Sequence, residues 1–162
     1  MADYRENARE FLKEFLPYIQ FCNEPWAYKA AVRTYNKEHG THIVVKNGAT
    51  RVAVIGRNFV VKFDYGTDRC YFGGCYDEYR FYRDTLRNDS EMAACLMECS
   101  KIKVEHHFYY VMPRATRIGE LSTYVFSDEE EDWIFDHVND THDGNIGWYN
   151  GRPVIIDYAC RI

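Results

Sequence analysis

The residues best suited to chemistry stand near the C-terminus. Asp140-x4-Asn145 enters a predicted β-hairpin, and Val154-Ile155-Ile156 leads out of it into Asp157. An apolar strand ending in Asp places a carboxylate at the strand's mouth, and the hairpin folds Asn145 and Asp157 back toward each other. Carboxylate and amide oxygens converging on one point suit a hard cation such as Mg²⁺, which takes oxygen ligands and keeps phosphate oxygens as partners. Asp140 lies five residues upstream of Asn145, on a loop after a predicted helix. From there it can serve as base or positioner for an attacking hydroxyl. The spacing alone carries little, because an Asp-x4-Asn pair arises by chance roughly 0.7 times in a chain with this many Asp and Asn residues. Its weight comes from what precedes it in order.

Upstream, Val60-Val61-Lys62-Phe63 sets a lysine in an apolar strand, which is unusual unless its amine reaches a partner. A predicted helix with Asp77-Glu78-Tyr79 follows, then a strand Tyr109-Tyr110-Val111-Met112-Pro113 running into Arg114-Ala115. In this order the elements resemble the protein-kinase-like superfamily. Asp140-x4-Asn145 and Asp157 resemble its catalytic loop and metal-binding Asp. The wording Asp140-x-His142-x-Gly144-Asn145 is similar to the aminoglycoside-phosphotransferase branch and to small kinase-like proteins of bacteriophages.

The resemblance implies ATP and Mg²⁺ as cofactors, with Lys62 positioning phosphates and Glu78 holding Lys62. It implies Asn145 and Asp157 as metal ligands and Asp140 orienting the acceptor hydroxyl. Met112 would stand at the gatekeeper-like position. Adenine would bond the Pro113 carbonyl and the Ala115 N–H, and Gly48 would stand in the phosphate loop. The sequence departs from the family in three places. Only Gly48 remains of a Gly-rich loop, Val138-Asn139 replaces the usual His-Arg before Asp140, and the metal motif reads Asp157-Tyr158-Ala159.

The elements that position these residues follow from periodicity. Phe11, Leu12, Phe15, Leu16 and Ile19 share one face of a predicted helix over 3–22, with Pro17 as a candidate kink or end. Asn23 reads as a cap, Pro25 as the first turn of a second helix, and Gly40 as its stop. Residues 42–46, 51–55 and 58–64 read as a three-stranded meander with turns at Asn47-Gly48 and Gly56-Arg57. A helix over 76–87 and strands around 99–105 and 108–112 follow. Ser127 with Glu130 forms a capping box for a helix to about Val138, and Asn150-Gly151 between apolar runs predicts the closing hairpin. The acidic run 128–132 reads as a solvated helix start. His142 braces the loop, His106-His107 is a strand turn, and the Tyr71-Phe72 and Tyr79, Phe81, Tyr82 clusters read as core.

The expected fold class is therefore α+β and protein-kinase-like. It has a five-stranded antiparallel N-lobe sheet with one main helix, a much reduced C-lobe carrying the catalytic-loop hairpin, and two N-terminal helices. The expected division is a helical extension at 1–40, an N-lobe at 41–115 and a truncated C-lobe at 116–162, in one compact unit.

The 162 residues carry a formal charge of -5, with 46% apolar and 17% aromatic residues. That balance supports a ring-built core and argues against a nucleic-acid-coating protein. No apolar run approaches the roughly 20 residues that span a bilayer, and Met1-Ala2-Asp3-Tyr4-Arg5-Glu6 has no signal-peptide pattern. The expected location is the cytoplasm, that of the host if the chain is phage-encoded. The six Cys form no C-x-x-C pair and read as ordinary thiols.

Three functions compete on these grounds. The first is a serine/threonine-type protein kinase acting on a host or partner protein or on itself. The second is an inactive kinase-like binding module that blocks or redirects a host protein by contact. The third is a small-molecule kinase. A homodimer, or docking onto a host protein, would cover the reduced C-lobe.

Overall fold

The computed structural model describes residues 3–48, 51–64, 74–117, 126–138 and 143–158. It is a mixed α+β structure whose chain divides into two units, Met1–Tyr71 with Ser100–Arg114, and Phe72–Cys99 with Ala115–Ile162.

The N-terminal unit starts with α1 (Tyr4–Ile19), capped by the Asp3 side chain on the Arg5 N–H. Pro17 lies inside the helix and does not end it. It falls in the last turn, while Phe15 and Ile19 on either side stay buried. Helix α2 (Pro25–His39) has Glu24, not Asn23, at its N-cap position, with no side-chain cap hydrogen bond and Pro25 in its first turn. It ends on Gly40 at φ 64°, the left-handed stop that a residue without a Cβ adopts readily.

The sheet contains β1 (Val44–Asn47), β2 (Arg51–Ile55), β3 (Phe59–Asp64), β4 (Ser100–Val104) and β5 (His107–Pro113). Every pairing is antiparallel, in the order β1-β2-β3-β5-β4. The first strand begins two residues later than the sequence pattern suggests. The Asn36 side chain holds the backbone of Ile43, accepting from its N–H at 2.9 Å and donating to its carbonyl at 2.9 Å, before pairing starts.

One face of this sheet is covered. Val52, Val54, Phe59, Val61, Phe63, Ile102, Val104 and Val111 pack in a single core with Phe11, Leu12, Phe15, Tyr28, Val32 and Tyr35 of the two helices. Rings dominate it. Phe11 stacks on Phe15 at 4.8 Å, and Tyr35 meets both edge-on at 5.3 and 5.6 Å. Gly56 closes the β2–β3 turn beneath the Phe59 ring, and a Cβ there would lie 2.2 Å from that ring.

The C-terminal unit holds α3 (Cys75–Asn88), α4 (Ser90–Ala93), β6 (Thr116–Arg117), α5 (Asp128–His137), β7 (Ile146–Tyr149) and β8 (Arg152–Ile155). Helix α3 buries Cys75, Glu78, Phe81 and Thr85, one stripe at helical spacing. Helix α5 starts on the expected capping box, with Ser127 and Glu130 each satisfying the other's backbone N–H. A short 3-10 turn (Asp143–Asn145) leads into β7.

The small sheet runs β6-β7-β8, and its hairpin turns at Asn150 and Gly151 with φ 52° and 77°. Two consecutive positive φ values match the right-handed strand twist, which is why Asn-Gly serves there. Residues Cys95 to Met97 lie parallel to β8. The Ile155 N–H donates to the Cys95 carbonyl at 2.7 Å and the Met97 N–H to the Ile155 carbonyl at 2.8 Å. The short helix α4, strand β6 and this parallel bridge carry no periodic signal in the sequence. Among the described residues no helix is long and apolar enough to cross a membrane.

Candidate functional site

Antiparallel register decides which face of the large sheet each residue occupies, because directly paired residues share a face. Lys62 pairs with Ala53 on β2 and Tyr110 on β5, and beyond these stand Lys46 on β1 and Lys101 on β4. This row lies on the face away from α1 and α2, since its neighbours Val61 and Phe63 take the helix-covered face. Two residues along, Val44, Ile55, Val60 and Met112 form a second row on the same face, from exposed Val44 to buried Met112. An apolar row therefore runs beside a row bearing three lysines. Met112 and Lys62, two of the expected nucleotide residues, belong to these adjoining rows.

Pro113 ends β5 opposite Phe59. A strand terminus is where a residue without an N–H costs least. The next residue is tied back to the β2–β3 turn, with the Arg114 N–H donating to the Asn58 carbonyl at 3.0 Å and its guanidinium to the Gly56 carbonyl at 3.0 Å. Gly48 stands exposed in the β1–β2 connection, and its N–H donates to the Arg51 carbonyl at 2.8 Å. That amide serves the hairpin. In the C-terminal unit Ala115 packs its Cβ against the Gly147 backbone, where an added Cβ would lie 2.6 Å away.

The hairpin brings Asn145 and the Asp157 segment together. Asn145, buried, ends the 3-10 turn before β7, and its carbonyl accepts the Ile156 N–H at 2.7 Å. Strand β8 itself ends at Ile155, two residues before Asp157, so the carboxylate rides on irregular backbone after a bend at Ile156 and not on the strand's last residue. Asp157 is half-buried. Asp140 and His142 lie outside the described residues.

Glu78 and Tyr158, the residue after Asp157, are each 1% exposed. The Tyr158 N–H donates to Glu78 Oε2 at 2.9 Å, and its phenol donates to the Met97 carbonyl at 2.7 Å. Its ring lies 5.8 Å from that of Phe81 on α3. Tyr158 and Met97 were absent from the candidate residues read in the sequence. An aromatic after Asp157 was visible, but partners 80 and 61 residues away leave no local pattern.

A second polar cluster lies in the same unit. The Arg152 guanidinium pairs with the Glu130 carboxylate, which also accepts from Cys95 Sγ at 2.8 Å. Burial pushes the Glu130 carboxyl up, but hydrogen bonds from Cys95, Ser127 and Arg152 outweigh it and hold the group at about 2. Burial, with Glu130 beside it, pushes the Cys95 thiol up to about 12. A buried thiol held in its protonated form is a poor nucleophile, and the cluster ties α5 to β8. No protein-family model matches the sequence, and no curated protein matches it.

Proposed function

We propose that the chain is a kinase-like phosphotransferase that binds ATP with Mg²⁺ and passes the terminal phosphoryl group to a protein hydroxyl. The observation that carries this reading is the face of the five-stranded sheet away from α1 and α2, where the Ile55, Val60, Met112 row adjoins the Lys46, Lys62, Lys101 row. An aromatic base suits the first and phosphate oxygens suit the second.

The strand order β1-β2-β3-β5-β4, with α3 between β3 and β4 in the chain, supports the kinase-like resemblance. So does the hairpin that joins Asn145 to Ile156. One amide and one carboxylate fit a cation that draws its other ligands from phosphate and water. Bound there, Mg²⁺ would neutralise charge on the phosphates. Asp140 would orient the acceptor hydroxyl and take its proton as the new phosphorus–oxygen bond forms, and the bond to the leaving diphosphate breaks.

The test is incubation of the purified protein with γ-labelled ATP and Mg²⁺, with and without a cell lysate, beside Asp157→Ala. Label on the chain or on a discrete lysate protein, lost in a folded Asp157→Ala variant, is the expected result. Transfer that persists in the variant sinks the assignment of Asp157. Absence of transfer by folded wild-type protein shifts the reading to a kinase-like binding module. Label on a small metabolite instead makes it a small-molecule kinase.

A further inference from the structure

We propose that the outward face of α2 docks on the outward face of α5 in a second copy of this chain, an association driven by opposite charge and anchored by one exposed ring from each helix. The proposal does not depend on the phosphotransferase reading.

Each helix turns one face to its own unit. Helix α2 buries Tyr28, Ala31, Val32 and Tyr35. Trp26, Lys29, Arg33 and Lys37 follow one another at three- and four-residue steps on the other side, and all four are exposed. Helix α5 buries Ile134, stacks Trp133 on Phe81 and pairs Glu130 with Arg152. Its outward side carries Asp128, Glu131, Asp132 and Phe135, again at three- and four-residue steps and again all exposed. Among the described residues, neither the three cations of α2 nor these three acids have an ion-pair partner.

The two faces complement each other. In a chain of net charge -5, α2 gathers three cations on one side, and its acid Glu38 is engaged elsewhere by the Tyr18 phenol. Helix α5 has acids at 128–132 and 136 and no Lys or Arg. One large ring stands in water toward one end of each stripe, Trp26 at 71% and Phe135 at 84% exposure. Laid antiparallel, the stripes register. Trp26 to Arg33 and Phe135 to Asp128 both span seven residues, about 10 Å of helix. Trp26 then meets Phe135, Lys29 meets Glu131 and Asp132, and Arg33 meets Asp128. Exposed ion pairs contribute little each, so the rings supply the anchor and the charges select the partner and its direction. A single helix pair is a small interface, and the association should be weak and sensitive to salt.

The experiment is sedimentation velocity of the full chain from about 5 to about 500 µM, in about 50 mM and about 500 mM NaCl. Wild-type protein is compared with the double reversals Lys29→Glu with Arg33→Glu and Glu131→Lys with Asp132→Lys, and with Phe135→Ala. All five substituted side chains are exposed, and circular dichroism checks that each variant is folded. Wild-type protein is expected to self-associate at low salt and to separate at high salt. Each reversal should raise the dissociation constant about tenfold or more, because like charges then face each other. Phe135→Ala should weaken association with every charge intact. The two reversals mixed together should associate again, since the acidic α2 of one then meets the basic α5 of the other.

A wild-type monomer across the whole range overturns the proposal. So does association that neither reversal weakens, or a mixture of the two reversals that associates no better than either alone. Weakening by the α2 reversal but not by the α5 reversal would mean that α2 has a different occupant. Wild-type protein that stays monomeric but sediments with phosphatidylserine vesicles, where the α2 reversal does not, would make that occupant an anionic membrane.

Discussion

The two units of this chain are held together by different forces. The N-terminal unit is a sheet face covered by two helices, sealed by Phe11, Phe15, Tyr28, Tyr35, Phe59 and Phe63. The C-terminal unit has short strands around buried Phe81, Met92, Leu96, Met97, Ile134, Ile146 and Ile155, and side-chain hydrogen bonds to buried groups also tie its parts: Glu78 to Tyr158, Tyr158 to Met97, Glu130 to Arg152 and Cys95. Apolar burial scales with area and tolerates small shifts, whereas a hydrogen bond to a buried group fixes a position to a few tenths of an ångström. A carboxylate that must meet a cation gains from the second kind of support. In the proposed function the metal ligands Asn145 and Asp157 lie in the unit with the buried Glu78–Tyr158–Met97 ties, and Lys62 stands on the sheet face away from α1 and α2 in the other unit.

The largest effect should come from breaking the apolar unit. Phe15 is fully buried, and Phe15→Ala removes a ring that touches Phe11 and Tyr35. We expect a loss of about 3–5 kcal/mol in urea unfolding, the usual cost of such a truncation. Tyr158→Phe, by contrast, removes a single buried hydrogen bond in the other unit, and about 1–2 kcal/mol is expected. If the two losses are equal, the contrast between ring packing and polar anchoring is wrong.

A smaller steric effect is expected at Gly56. Its substitution by Ala drives a methyl into the Phe59 ring, and overpacking of this sort costs about 1–3 kcal/mol. An unchanged urea midpoint would mean that the Phe59 ring moves aside freely, and the sealed face is then looser than its burial implies.

Acid should separate the units further. Glu130 is held at about 2 in the folded chain against an ordinary 4.5, so folding favours its charged form. The stability this contributes is fully present above the ordinary value and is lost as pH falls from about 5 toward 2. With 21% of the Glu130 side chain exposed, on the order of 2 kcal/mol is a fair expectation. Urea unfolding at pH 7 and pH 3, in wild-type protein and in Glu130→Gln, measures it. The variant should lose that part of the pH dependence, and equal pH dependence in both proteins would remove the cluster from the list of anchors.

The same contrast explains what was legible in the sequence. In the N-terminal unit, periodicity gave both helices and the meander, because side-chain spacing is what builds a helix-covered sheet face. Strand β2 and the Gly40 stop fall where the pattern put them. The capping box at Ser127 and the Asn150-Gly151 hairpin were legible for a related reason: each is written within four residues. The contacts of Glu78, Met97 and Tyr158 were not, since they join residues far apart through backbone atoms that every residue type carries. That the hairpin brings Asn145 beside the segment before Asp157 could be read from the sequence. What holds the Asp157 segment in place could not.

The smallest test lies on the face of the large sheet away from α1 and α2, where the N-terminal unit carries an exposed polar contact. The Lys101 ammonium stands 4.4 Å from the centroid of the Phe108 ring, and Lys103 lies farther off at 5.9 Å. Phe108 is 53% exposed, so water competes for the ammonium and a contribution of about 0.5 kcal/mol is expected. Lys101→Ala and Phe108→Leu, singly and together, measure the coupling as the departure from additivity in urea unfolding. Lys103→Ala with the same partner should show less. If the Lys101 coupling instead exceeded the loss in Tyr158→Phe, polar ties would stabilise the ring-packed unit as strongly as the other. The division between the two units would then reflect where such ties are buried and not how many there are.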